Sequence, residues 1–211
     1  VTHGLGIILT LLMAGPLLDR AEKGQWAHAW SCRVYVASLL ALYTASTLFH
    51  SFYFTQRTKR ILHLLDQSAI YILIAGTYTP ILTIALHHKP VHSTYLLSLL
   101  WIVTFFGIAM TTTYTGQYKG RISLTLYLLM GWTALFCIRD LSQAVSFDAL
   151  SWLFAGGVLY TAGVPFFVMD KDPTTSMFHV VWHLFVMAAS AAHFWMIFEF
   201  VVPMQISAPK P

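Results

Sequence analysis

The sequence predicts an all-α fold, a bundle of seven transmembrane helices forming a single integral membrane domain over residues 1–211. Three observations predict it. The composition is 57% hydrophobic and 9% charged, whereas soluble domains carry about 25% charged residues. The apolar residues gather into seven stretches, most of them near the ~20 residues that cross a hydrocarbon core about 30 Å thick. None shows the alternating ~10-residue pattern of a barrel strand, and in lipid a lone segment satisfies its backbone only as a helix. A soluble enzyme, a nucleic-acid module and a disordered chain are excluded on the same grounds. The net charge of +4 comes from 12 basic and 8 acidic residues with no long basic run, so no nucleic-acid partner is expected.

The first span runs from about His3 to Leu18 and ends at the polar run Asp19–Gly24. It is short, no cleavable signal peptide is evident, and the chain begins without Met, so a short missing N-terminal piece is expected. The second covers Trp30 to Phe54, followed by a loop holding Arg57, Lys59 and Arg60. The third covers Leu64 to Leu86 and ends at His87-His88-Lys89-Pro90. The fourth covers Ser93 to Thr112, and the fifth Ile122 to Ile138, ending at Arg139-Asp140. The sixth covers Ala149 to Met169 and ends at Asp170-Lys171-Asp172-Pro173, and the seventh covers Ser176 to Val202. Pro80 and Pro165 fall inside spans three and six, where each could kink its helix. Cys32 and Cys137 lie in apolar stretches and read as small core residues.

Seven spans put the termini on opposite sides of the membrane. The cationic residues divide evenly between the sides, with Arg33 snorkelling and the tail Lys210 counted. The densest cluster, Arg57, Lys59 and Arg60, assigns its own side to the cytoplasm. The expectation is therefore an N-terminus inside and a C-terminus outside.

Ionisable residues inside a membrane are costly and mark function. His179 and His183 are four residues apart, so they share one helix face and form a half-site for a metal such as zinc. Ser46 and His50 repeat that spacing on span two. His50 ends span two, Asp66 opens span three, and His179 and His183 open span seven, so alternation of helices places all four at one depth. Zinc in a catalytic site takes three protein ligands and leaves a position for water. His50, His179 and His183 are the expected zinc ligands. Asp66 is the expected base or water-binding carboxylate, and Ser46 orients a ligand or donates to a developing oxyanion. A hydrolytic site inside a bundle implies a membrane lipid as substrate, entering sideways.

Competing readings accompany these residues. Asp66 could equally cap span three at its N-terminus, and Ser46 could simply bond back to its own helix. His63 is a rival ligand, better read as interfacial. His193 lies about 15 Å deeper than His183 at 1.5 Å per residue and reads as a helix–helix hydrogen-bonding residue. His87, His88 and His92 read as a wet loop on the opposite side, and the six histidines outside the ligand set and His193 as interfacial or loop residues.

Several motifs resemble one family. Ser46-Thr47-Leu48-Phe49-His50 is similar to the S-x-x-x-H element of the progestin and adipoQ receptor superfamily. The run from Leu65 to Pro80 resembles the third-helix signature of its bacterial branch, the hemolysin III family. His179-Val180-Val181-Trp182-His183 with Ala191-Ala192-His193-Phe194 resembles the last-helix motif, Thr2-His3-Gly4-Leu5-Gly6 the opening, and Leu128–Trp132 the fifth helix. The resemblance implies a bacterial inner-membrane protein of seven helices with the N-terminus inside. It implies zinc on residues matching His50, His179 and His183, and a carboxylate matching Asp66 that reaches the metal through water. The receptors show ceramidase activity, so the resemblance implies a metal-dependent hydrolase of a lipid amide or ester, acting in membrane lipid homeostasis. The bacterial branch is named for a haemolytic, pore-forming activity, so a cytolytic protein with a structural zinc site is the alternative, and a lipid-sensing receptor ranks third. Gln67 stands where the branch often has His, which removes a possible proton carrier beside Asp66. The receptors' long N-terminal cytoplasmic region has no counterpart in these residues, so no hormone-receptor role is expected.

Overall fold

A computed structural model describes residues 2–51, 55–170 and 177–206. Phe54 at the expected end of span two, Lys171, Asp172 and Pro173 of the sixth loop, Ser176 and Lys210 lie outside the described residues.

The regular structure among the described residues is all helical, and seven helical segments there are long and apolar enough to cross a membrane. The helices are α1 (Thr2–Glu22), α2 (Trp26–Ser51), α3 (Gln56–Pro80), α4 (Pro90–Thr113), α5 (Lys119–Gly131), α6 (Ile138–Ala144), α7 (Phe147–Met169) and α8 (Met177–Met196). Spans three and seven each finish in a π turn, Ile81–Ala85 and Ile197–Val201. Span five is α5 and α6 joined by a 3₁₀ segment, Trp132–Cys137.

That 3₁₀ break was not visible in the hydropathy, which is continuous through it. Its cause is a side chain from another span. The Tyr78 hydroxyl donates to the Gly131 carbonyl at 2.6 Å and accepts from the Ala134 N–H at 2.9 Å. A hydroxyl inserted into the backbone ladder takes groups that would otherwise pair along the helix. Pro80 acts next door. It has no N–H to donate, and α3 widens into its π turn directly after it. Helix α7, by contrast, runs through Pro165 without interruption.

Helix α3 is the most buried span and sits between α2, α4 and α5. Close approach is possible where side chains vanish. A Cβ on Gly76 would lie 2.3 Å from Ser38 Oγ, and one on Gly107 2.4 Å from the Tyr71 ring. Helix α1 packs on α2 and α8, and α7 packs on α8. Large apolar side chains such as Leu12, Phe105 and Phe136 are left on the outside, where lipid rather than water accommodates them.

Several boundaries differ from the sequence expectation. Arg57, Lys59 and Arg60 lie in the first turns of α3 rather than in a loop, because Thr55 caps that helix by accepting from the Thr58 N–H at 3.3 Å. Asp66 is therefore three turns inside α3 and does not cap it. Arg139 and Asp140 belong to α6, where Asp140 pairs with His92 of α4 at 2.8 Å. His28, expected at an interface, is 1% exposed. Its Nδ1 accepts from the Gln25 N–H at 3.2 Å, so its Nε2–H is the donor to the Met204 carbonyl at 2.8 Å. It ties the start of α2 to the segment beyond α8.

Candidate metal centre

Helix direction sets the depth of each site residue. The last turn of α2 and the first turns of α1 and α8 lie at one end of the bundle, as alternation requires. His50 comes from α2 and His179 and His183 from α8, where the four-residue spacing stacks them on one face. One nitrogen of each can be chosen so that all three lie within 4.8 Å of one another. His50 and His179 are half-buried and His183 is buried. The three histidines are close enough to hold a metal ion.

The hydrogen bonds behind the rings orient them toward one another. His179 Nδ1 lies 2.6 Å from Asp170 Oδ2. An ionised carboxylate only accepts, so Nδ1 carries the proton and the Nε2 lone pair is left free. His50 Nε2 lies 2.9 Å from that Nε2 and donates to it when no metal is bound. His183 Nδ1 lies 2.9 Å from Thr2 Oγ1. With Nδ1 engaged, its Nε2 is the ligand atom. Nδ1–H donation to a carboxylate or other oxygen, with Nε2 aimed inward, is the arrangement that metal-binding histidines adopt. The donor set thus fits a metal.

Asp170 and His3 were missed in the sequence. In the sequence Asp170 reads as the start of a polar loop, yet its side chain is 6% exposed and bonds His179. In the sequence His3 reads as an interfacial or loop residue, yet it is 4% exposed. Its ring stacks on His183 with centroids 3.7 Å apart and 18° between planes. The available signal was alternation itself, since the start of span one lies on the same side as the end of span two.

The other expected residues have definite places. Ser46 is 1% exposed, and its Oγ has no hydrogen-bond partner among the described residues. Asp66 is half-buried and outside the three-histidine group. Both line one cavity of 310 Å³ together with His179 and His183. His63 lines the same cavity and sits 5.0 Å from the Phe49 ring, but it too is outside the group. His193 donates from Nε2 to the Leu153 carbonyl of α7 at 3.1 Å, the helix–helix role expected of it. From the histidine end the cavity continues between span five and α7, past Trp132, whose Nε1 donates to Thr161 Oγ1 at 3.2 Å.

Comparison with known proteins agrees with this architecture. The sequence model of a family described as Haemolysin-III related matches residues 1–194. Hemolysin-3 of Bacillus cereus is 37% identical over 204 residues, covering 96% of this chain and 90% of that protein. The Hemolysin-3 homolog of Bacillus subtilis is 36% identical over 205 residues, covering 96% and 92%. Monocyte to macrophage differentiation factor of Homo sapiens is 29% identical over 206 residues, covering 95% and 82%. Seven spans together with bacterial relatives of this kind fit an integral protein of the bacterial inner membrane.

Proposed function

The chain belongs to the haemolysin-III related family, and from that premise we propose that it is a zinc-dependent membrane hydrolase, with its N-terminus cytoplasmic, that cleaves a lipid amide or ester. One observation carries the reading: nitrogen atoms of His50, His179 and His183 converge within 4.8 Å, and His179 and His183 also line a 310 Å³ cavity. Three imidazoles, two of them with oxygen partners behind them, suit zinc, which binds three protein ligands and leaves a position open in catalytic sites. A zinc ion held there would supply Lewis acidity, polarising a carbonyl and lowering the pKa of water toward about 7.

The remaining chemistry falls to the protein. The apolar stretch of the cavity holds the hydrocarbon chain of the lipid and keeps bulk water out. Asp66, on the wall of the cavity that His179 and His183 also line, takes the proton from the attacking water. The water oxygen bonds to the carbonyl carbon, the C–N or C–O bond breaks, and the proton held at the Asp66 carboxylate passes to the leaving nitrogen or oxygen. The buried Ser46 hydroxyl is a free donor for the carbonyl oxygen as charge gathers on it. Asp170 and Thr2 hold the ligand rings and take no part in the transfer.

The test is metal content and turnover on purified, detergent-solubilised protein. One zinc per chain and hydrolysis within a panel of lipid amides and esters are expected, and His50→Ala should abolish both. Stoichiometric zinc with no turnover of any panel lipid would refute the hydrolase. The cytolytic reading rests on the names of the Bacillus relatives, and dye leakage from liposomes that survives His50→Ala would favour it.

A further inference from the structure

We propose that Thr2 and His3 are positioning residues for His183, so that the first span completes the metal centre although it supplies no ligand. The inference rests on the reading that His50, His179 and His183 hold zinc. An imidazole ligand has two freedoms that must be fixed: which nitrogen carries the proton, and how the ring is rotated. Thr2 addresses the first. Its Oγ1 lies 2.9 Å from His183 Nδ1 and accepts the Nδ1 proton, which leaves the Nε2 lone pair for the metal. His3 addresses the second. Its ring covers one face of His183 at 3.7 Å and 18°, so His183 cannot rotate about its side chain without colliding with it.

The clamp is itself braced. Tyr43 of α2 meets the His3 ring edge-on, with centroids 5.1 Å apart and 69° between planes. Tyr43 reaches that place only because position 6 is glycine. A Cβ on Gly6 would sit 2.7 Å from the Tyr43 ring. The spacing Thr2-His3-x-x-Gly6 therefore has one physical account: a hydrogen bond to the ligand, a stacking face against it, and one turn later a gap for the bracing ring. Neither ring nitrogen of His3 has a hydrogen-bond partner among the described residues, and both are buried. Its contribution is accordingly the flat ring face.

The experiment measures the zinc dissociation constant of the full chain by chelator competition, beside thermal unfolding of the metal-free protein. The variants are Thr2→Val, Thr2→Ser, His3→Ala and His3→Phe. Thr2→Val keeps the shape and removes the hydroxyl, and should weaken zinc about 10- to 100-fold, the usual cost of losing an outer partner. Thr2→Ser should recover the wild-type constant. His3→Ala should weaken zinc, and His3→Phe, which keeps a ring face, should recover most of the loss. The metal-free midpoint and helicity of each variant show that it is folded, so that a weaker constant is read as lost metal binding. Wild-type protein that binds zinc while Thr2→Val binds it equally well overturns the inference and leaves the metal reading standing. Thr2→Ser as weak as Thr2→Val also overturns it, since the hydroxyl would then not be the cause. Wild-type protein that binds no zinc ends both.

Discussion

Replacing Asp170 with Asn tests whether the second ligand of α8 is oriented by a charge. The carboxylate accepts from His179 Nδ1 at 2.6 Å, with its side chain 6% exposed, so solvent screens the contact little. A hydrogen bond to a charged partner contributes roughly 1.5–3 kcal/mol and a neutral one roughly 0.5–1.5 kcal/mol. Asp170→Asn keeps a carbonyl acceptor but removes the charge, a difference of about 1–1.5 kcal/mol. At about 1.4 kcal/mol per tenfold, zinc should bind roughly ten times more weakly. Asp170→Ala removes the acceptor altogether and leaves a buried N–H without a partner. Its cost of about 3 kcal/mol corresponds to roughly 100-fold. The assay is chelator competition at fixed pH, with helicity followed by circular dichroism. The graded order wild type, Asn, Ala is the signature expected. Asp170→Asn with an unchanged constant, in a protein of unchanged helicity, would show that the carboxylate does not set the ring of His179.

Two further predictions concern the scaffold that carries the site. Tyr78→Phe leaves the Gly131 carbonyl and the Ala134 N–H without the hydroxyl that now joins them. It should destabilise the detergent-solubilised protein by roughly 1–3 kcal/mol, read as a lower denaturant midpoint, and an unchanged midpoint would reject the explanation of the 3₁₀ break. Gly156→Ala places a Cβ 2.2 Å from His193 Nε2 and forces the ring off the Leu153 carbonyl. Overpacking of this kind costs about 1–3 kcal/mol, so the thermal midpoint should fall, and combining it with His193→Ala should restore much of the loss. A double variant no better than the single one would mean that the clash lies elsewhere.

What was legible in the sequence divides along a physical line. Depth is legible, because a helix rises a fixed distance per residue and successive spans alternate in direction. That is why the sequence alone places His50, His179 and His183 at one level, and why they meet. Rotation about the helix axis is legible only where two polar residues share a span, as His179 and His183 do through their four-residue spacing. A single residue on its own span has no such partner. His3 had the right depth by the same alternation argument, but nothing in its sequence neighbourhood says that it faces α8 rather than lipid.

Asp170 and Tyr78 fail for a second reason. Each acts on a group belonging to another part of the chain, the imidazole of His179 and the backbone of span five. A residue whose work is to hold another carries no period of its own. Asp170 sits in a polar run and so looks like a loop end, and Tyr78 sits in an apolar run and so looks like core. The metal centre was therefore readable as a set of ligands and unreadable as a set of supports. Ligands must converge, so they leave a pattern of spacings across several spans. A support needs only one partner, and one partner at an arbitrary sequence separation leaves no pattern at all. The same asymmetry predicts where further supports of this centre lie: on the site-side turns of α1, α2 and α8, at buried positions with polar atoms. Thr47 and Ser51 of α2, whose hydroxyls are buried without partners among the described residues, are the next such positions beside His50.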